Sequence, residues 1–161
     1  MSAYSVEMLK FLGDTSIIPD LNKLICSYVT GDLVKMPKEE LVGFLKSDPD
    51  LDSVSFNDVD LSGANLSGVN LISANLSGVN LSGANLNQAI LTDTNMNNAN
   101  LSGANLSGAN LTRANLSYAN LSGVDLTYTN LTRANLTGAN LSHADLSAAE
   151  LIGARMTGTN L

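Results

Sequence analysis

Residues 99–116 read Ala-Asn-Leu-Ser-Gly-Ala-Asn-Leu-Ser-Gly-Ala-Asn-Leu-Thr-Arg-Ala-Asn-Leu, three copies of a five-residue unit and the start of a fourth. Working outward from there, every fifth position from Phe56 to Leu161 is large and apolar: 22 positions hold 19 leucines, Met96, Met156 and Phe56. Two residues before each, from Val59 to Thr159, stands Ala, Val or Thr. One residue before, Asn fills 15 of 21 positions, the exceptions being Asp60, Ile90, Asp125, Asp145, Glu150 and Arg155. The two positions after the leucine are mostly Ser or Thr and then Gly. An internal repeat this long decides the architecture before any local propensity is weighed.

A period of five suits neither regular element. On an α-helix five residues advance about 500°, which smears the leucines round the cylinder. Along a straight strand an odd period sends alternate leucines outward. All of them point inward only if the chain bends once per unit and closes into a coil. The leucine and the small residue two before it then face the axis, and the other three positions face water. Stacked coils sit ~4.8 Å apart, each bonding to the coil above and below. Burial of each leucine contributes on the order of 1.5–3 kcal/mol. Asparagines in register can bond to one another or to the turn backbone. Periodicity alone leaves open whether three or four sides close the coil.

The units Ala64-Asn65-Leu66-Ser67-Gly68, 74–78 and 104–108 resemble the pentapeptide-repeat family, whose pattern is Ala, Asp or Asn, Leu and two variable residues. The resemblance covers about two-thirds of the chain. It implies a mainly β fold, a right-handed quadrilateral β-helix with 20 residues per coil. On that basis residues 51–161 make about five and a half coils, a rod roughly 25–30 Å long.

Residues 1–50 obey other rules and read as a small α-helical cap. Tyr4, Met8, Phe11 and Leu12 recur at helical spacing up to Gly13. Pro19 opens a segment in which Leu21, Leu24, Ile25 and Tyr28 share a stripe closed by Gly31. After Pro37, Lys38-Glu39-Glu40 reads as a third first turn, with Leu41, Phe44 and Leu45 as its apolar face. Ser47-Asp48-Pro49-Asp50 marks the junction. Three short helices make a marginal fold alone, so they are expected to bury their stripes against the first coil.

Composition narrows the function. The net charge is −7, with 8 Lys and Arg against 15 Asp and Glu, which argues against direct nucleic-acid binding. The single Cys26 allows no intrachain disulfide and no CxxC metal site, and it reads as a buried thiol. No apolar run approaches a membrane span and no signal peptide is evident, so the expected location is cytoplasmic. His143 has no second His or Cys in register, which argues against a metal site or catalytic base. No Ser-His-Asp set, phosphate loop or paired carboxylates appear. A rod filled with leucine has no cleft, so no enzyme activity, catalytic residue, metal or cofactor is expected.

Candidate contact residues come from the departures. At 20 residues per coil, the side of Leu71, Leu91, Leu111, Leu131 and Leu151 collects Ile72, Ile90 and Ile152, with Asp93, Arg113 and Arg133 in one column and Glu150 and Arg155 at its border. This is the candidate partner-binding face. Drift on a tolerant surface, with Asp93–Arg113 an exposed ion pair of small weight, is the plainer explanation. Tyr118 and Tyr128 face outward by register, next to Gly138 and Gly108, and are candidate aromatic anchors. Shielding of backbone is their plainer role.

The first functional reading is a non-catalytic scaffold presenting flat rod faces to a protein partner. The second comes through the resemblance: some pentapeptide-repeat proteins mimic duplex DNA and bind DNA gyrase or another DNA-binding protein. Seven acids against three arginines from residue 51 onward supply little of the acidic surface that role needs. A flat ice- or mineral-facing surface is a weaker third. The sequence stops in register at Leu161, which leaves three readings: fraying of the last coil, a homodimer through that open coil, or a chain cut short. Such repeats abound in bacteria, a hint at the level of resemblance.

Overall fold

The computed structural model describes residues 38–46, 56–57 and 59–161. Helix α1 spans Lys38–Lys46. Beyond it the chain forms a four-sided coil in which residue i pairs in parallel with residue i+20, from Asp60 with Asn80 through to Asn140 with Asn160, 17 times in all. Four pentads per turn settle what the periodicity left open. The third helix expected from the sequence is present. The two read around residues 4–12 and 19–30, with Cys26, lie outside the described residues.

Each pentad is a short flat side followed by a corner. At the corner the amide of the small residue donates to the carbonyl of the leucine three before it, as Ala64 N does to Leu61 O at 3.0 Å. The second of the two residues between them has a positive φ, the pattern of a type II turn. Along the side, the leucine amide donates to the next layer, as Leu61 N does to Asn80 O at 2.8 Å. The asparagine amide donates to the layer before, Asn85 N to Ala64 O at 2.9 Å. The corner amide also reaches the next layer, Gly63 N to Ser82 O at 2.8 Å. Four of the five amides are thus bonded by backbone.

The fifth amide explains the asparagine. Wherever Asn or Asp precedes the apolar residue, the residue after it donates its N–H to that side-chain oxygen two residues earlier, as Ser82 N does to Asn80 Oδ1 at 3.2 Å and Thr127 N to Asp125 Oδ1 at 2.9 Å. Only a short side chain with an acceptor oxygen closes this local ring, hence Asn or Asp. The same asparagines also form ladders. Asn80, Asn100, Asn120, Asn140 and Asn160 each donate Nδ2 to the residue one layer back, beginning on Asp60. Asn95, Asn115 and Asn135 form a second ladder beginning on Asn75. Both bonding modes open to the asparagines are therefore in use.

Inside, the leucines from Leu61 to Leu141 are at most 2% exposed, and the small residues from Val59 to Ala139 at most 5%. Two inward threonines keep their hydroxyls bonded to carbonyls, Thr94 to Leu91 O and Thr129 to Leu106 O. Leu41 and Leu45 of α1 join the same core, and Lys38 Nζ donates to Ser62 O at 2.7 Å. At the opposite end, Leu146, Leu151 and Met156 are only partly buried and Leu161 is 74% exposed.

Candidate functional site: one corner of the coil and the side beside it

The residues singled out in the sequence occupy corners and their edges. Ile72 and Ile152 stand at the first position of one corner, 45% and 73% exposed. Asp93, Arg113 and Arg133 follow one another at its second position, in adjacent layers. Ile90 stands on the side before that corner and Arg155 on the side after it. Ile90, 39% exposed, also lines a shallow cavity with Leu45, Lys46, Val69 and Asn70 at the end of α1.

Arg113 donates from Nε to Asp93 Oδ1 at 2.7 Å, and its Nη2 donates to Asp93 Oδ2. This two-pronged bond, together with the positive charge, holds the Asp93 carboxyl below the usual carboxylate range and raises the Arg113 guanidinium. Among the described residues the other ion pair is Lys38 with Asp60, at 4.0 Å. Arg133 and Arg155 thus have no acidic partner among the described residues. The Arg133 stem lies along the rod, its Cγ 3.4 Å from where a Cβ on Gly153 would be.

The backbone of this corner carries a signal that the sequence reading missed. Ser73, Asp93, Arg113 and Arg133 all have left-handed φ of 58–60°. For side chains other than Gly, Asn and Asp that conformation is strained, by roughly 1 kcal/mol or more. Sequence could have supplied the clue, because the same offset is glycine at 63, 83, 103 and 123.

Tyr118 occupies the next corner round, 64% exposed. Its ring lies flat over Gly138, with Cδ1 and Cε1 2.7 Å from the position of a Cβ there. Gly138 is the seat that the register suggested. Tyr128 is 76% exposed, and the side chain over Gly108 is Gln88, 3.5 Å from its Cβ position, rather than Tyr128. A side chain at such a corner leans onto a glycine in the following layer; Tyr128 has Ala148 there instead. Tyr118 and the arginines border one side: its column is Asn95, Asn115, Asn135 and Arg155, with Arg113 two residues before Asn115 and Tyr118 three after it.

A family model for pentapeptide repeats, in eight copies, matches residues 50–88, 89–127 and 125–161. A pentapeptide-repeat protein (Rfr23) of the cyanobacterium Cyanothece 51142 is 39% identical, TM-score 0.57, over 57% of this chain and 63% of its own. HetL of the cyanobacterium Nostoc sp. strain PCC 7120, a pentapeptide-repeat protein involved in heterocyst differentiation regulation, is 40% identical, TM-score 0.51, over 65% of this chain and 52% of its own. The match thus spans less than two-thirds of either relative's length. QnrB1, a plasmid-mediated fluoroquinolone resistance protein, is 22% identical, TM-score 0.34, over 66% of this chain and 74% of its own. No curated protein sequence matches. With the repeat matched from residue 50 to 161 and the 20-residue register running the length of the coil, the chain belongs to the pentapeptide-repeat family, and its coil is that family's right-handed quadrilateral β-helix.

Proposed function

We propose that this protein is a non-catalytic scaffold whose coil presents one corner, Ile72 through Asp93, Arg113 and Arg133 to Ile152, to a protein partner. The observation that carries the reading is backbone strain. Four successive layers hold non-glycine residues in left-handed backbone at this corner, and three of them, Ser73, Arg113 and Arg133, are of types strained there. Side chains kept at strained positions cluster at functional surfaces. Exposed isoleucines at both ends of the column supply apolar area that a solvated corner would not need.

The segment around α1 serves as the cap of the first layer, with Leu41 and Leu45 shielding its leucines from water. The division into a cap over 1–50 and a coil over 51–161 belongs to the same reading. At the other end a second copy is the proposed cover for Leu146, Leu151 and Met156. A monomer at every concentration in sedimentation would remove that part.

Mimicry of DNA is the less supported role. Asp60, Asp125, Asp145 and Glu150 are spread over three sides of the coil, and the arginines interrupt any acidic stripe. Affinity capture with the whole chain tests the scaffold. The Ile72→Ser/Arg113→Gly/Arg133→Gly variant is expected to lose the specific partner, and an unchanged partner list would reject the corner.

A further inference from the structure

The charge round the coil is unevenly placed. All three arginines after residue 51 lie on one corner and the side beside it: Arg113 and Arg133 at the corner, Arg155 in the column of Asn115 and Asn135. The opposite side carries Asp125 and Asp145 in adjacent layers, paired across the 20-residue register. Asp93 offsets Arg113, while Arg133 and Arg155 are left without an acid among the described residues. Glu150 stands on the side before the corner, so the arginine side itself carries no acid over these layers. Its far edge is the Tyr118 ring, which rests one face on Gly138 and turns the other outward.

From this we infer that the side bearing Asn115, Asn135 and Arg155, bounded by Arg113, Arg133 and Tyr118, is the seat of an acidic protein segment. The inference rests on the scaffold reading and names the chemistry of its partner. Carboxylates of an extended segment pair with Arg133 and Arg155, whose guanidiniums offer forked donors, and with the donors Arg113 leaves free. Tyr118 gives the segment a rigid surface of mixed polarity, fixed before binding by its glycine seat.

The chain's overall charge of −7 does not prevent this. Screening at physiological salt limits the reach of exposed charge to about 8 Å, so the local patch outweighs Asp125 and Asp145 on the far side. Three arginines on one short face offer few of the phosphate contacts that a duplex engages along its length, while the outward face of Tyr118 suits a peptide chain. A protein segment is therefore the occupant, and duplex DNA the competitor.

The test is fluorescence anisotropy of the full chain with a labelled deca-glutamate peptide, beside labelled duplex DNA of equal charge. Peptide binding is expected to weaken steeply between about 50 and about 200 mM salt, a roughly fourfold range that brackets physiological screening. Arg113→Gly/Arg133→Gly is expected to lower affinity roughly tenfold, and Tyr118→Ala by several-fold. Glycine is native at ten other corners, so this variant keeps the fold. Asp125→Asn/Asp145→Asn, on the far side, is expected to leave binding unchanged. No peptide binding, or binding indifferent to the arginine variant, overturns the inference while leaving the scaffold to its own capture experiment. Tighter binding of DNA through the same arginines overturns it in favour of a polyphosphate. Self-association abolished by the arginine variant overturns it in favour of a second copy's Asp125 and Asp145.

Discussion

At the corner of Gly63, Gly83, Gly103 and Gly123 the backbone has φ of 63–64° and no side chains, whereas diagonally across the coil Ser73, Asp93, Arg113 and Arg133 hold φ of 58–60°. The two corners share one conformation. The stacking hydrogen bonds impose it, and glycine merely accepts it without strain. What differs is what the chain tolerates in order to put a side chain there. The first corner is the fold at rest. The second bears charge and, by the present proposal, a partner.

The largest effect should ignore the difference between the corners altogether. Leu101→Ala and Leu131→Ala each remove a fully buried leucine, one beside each corner. Both are expected to destabilise by about 2–5 kcal/mol in urea unfolding, because the cavity lies in a shared interior. A markedly smaller loss at Leu131 would mean that the interior is looser on the arginine side.

Next comes a direct exchange of corner chemistry. Gly103→Val puts a β-branched residue at φ 63°, in otherwise open space, and is expected to cost about 1–2 kcal/mol from backbone alone. Arg133→Gly does the reverse. Relief of strain exceeds the added freedom of glycine in the unfolded chain, leaving a gain of roughly 0.5 kcal/mol. If calorimetry shows Arg133→Gly less stable than the parent, the arginine is there for stability, and the strain argument for function fails.

Sides can be compared as corners were. Asn100 accepts from Ser102 N and Asn120 Nδ2 and donates to Asn80 Oδ1 at 3.3 Å. Asn100→Asp keeps both acceptor roles, loses the donor and sets a carboxylate against the Asn80 oxygen. A loss of about 1 kcal/mol is expected. Asp60 escapes this penalty, because it starts the ladder and only accepts. Asn105→Asp, in the column where Asp125 and Asp145 already stand, is expected to be milder, and equal losses would show that the ladder contributes little.

The smallest effect is on pH dependence. Hydrogen bonds from Ser62 to Asp60, from Arg113 to Asp93 and from Ser147 to Asp145 hold all three carboxyls below the ordinary value of 3.8. A depressed folded pKa adds stability above the unfolded value and loses it as pH falls through the folded one. The urea midpoint is expected to stay level from neutral pH down to about pH 5 and to fall below about pH 4. The Asp93→Asn variant should show a shallower fall than the parent.

Much of this was legible in the residues. Leu at every fifth position forces a bend per unit, since no other path buries all of them. Asn before Leu was expected to bond either to its neighbours or to the turn, and it does both. Arg113 over Asp93 and Tyr118 over Gly138 followed from counting by 20. That Ile90 also lines a cavity beside the end of α1 did not follow from the counting, because α1 lies outside the repeat. Tyr128 fails to use Gly108 because a corner side chain leans toward the following layer, and a register number carries no direction along the axis.

By itself, then, the sequence determined that the chain coils, which atoms fill the coil and which columns stand outside it, because a strict period fixes inward and outward positions wherever the chain turns. Only the tertiary structure decided that four sides close the ring, that every described corner bends left-handed whatever its residue, and that corner side chains lean onto the following layer, which seats Tyr118 on its glycine and leaves Tyr128 without one. Those outcomes depend on how successive layers bond to one another, and a five-residue period carries neither the number of sides nor the direction in which a side chain leans along the axis.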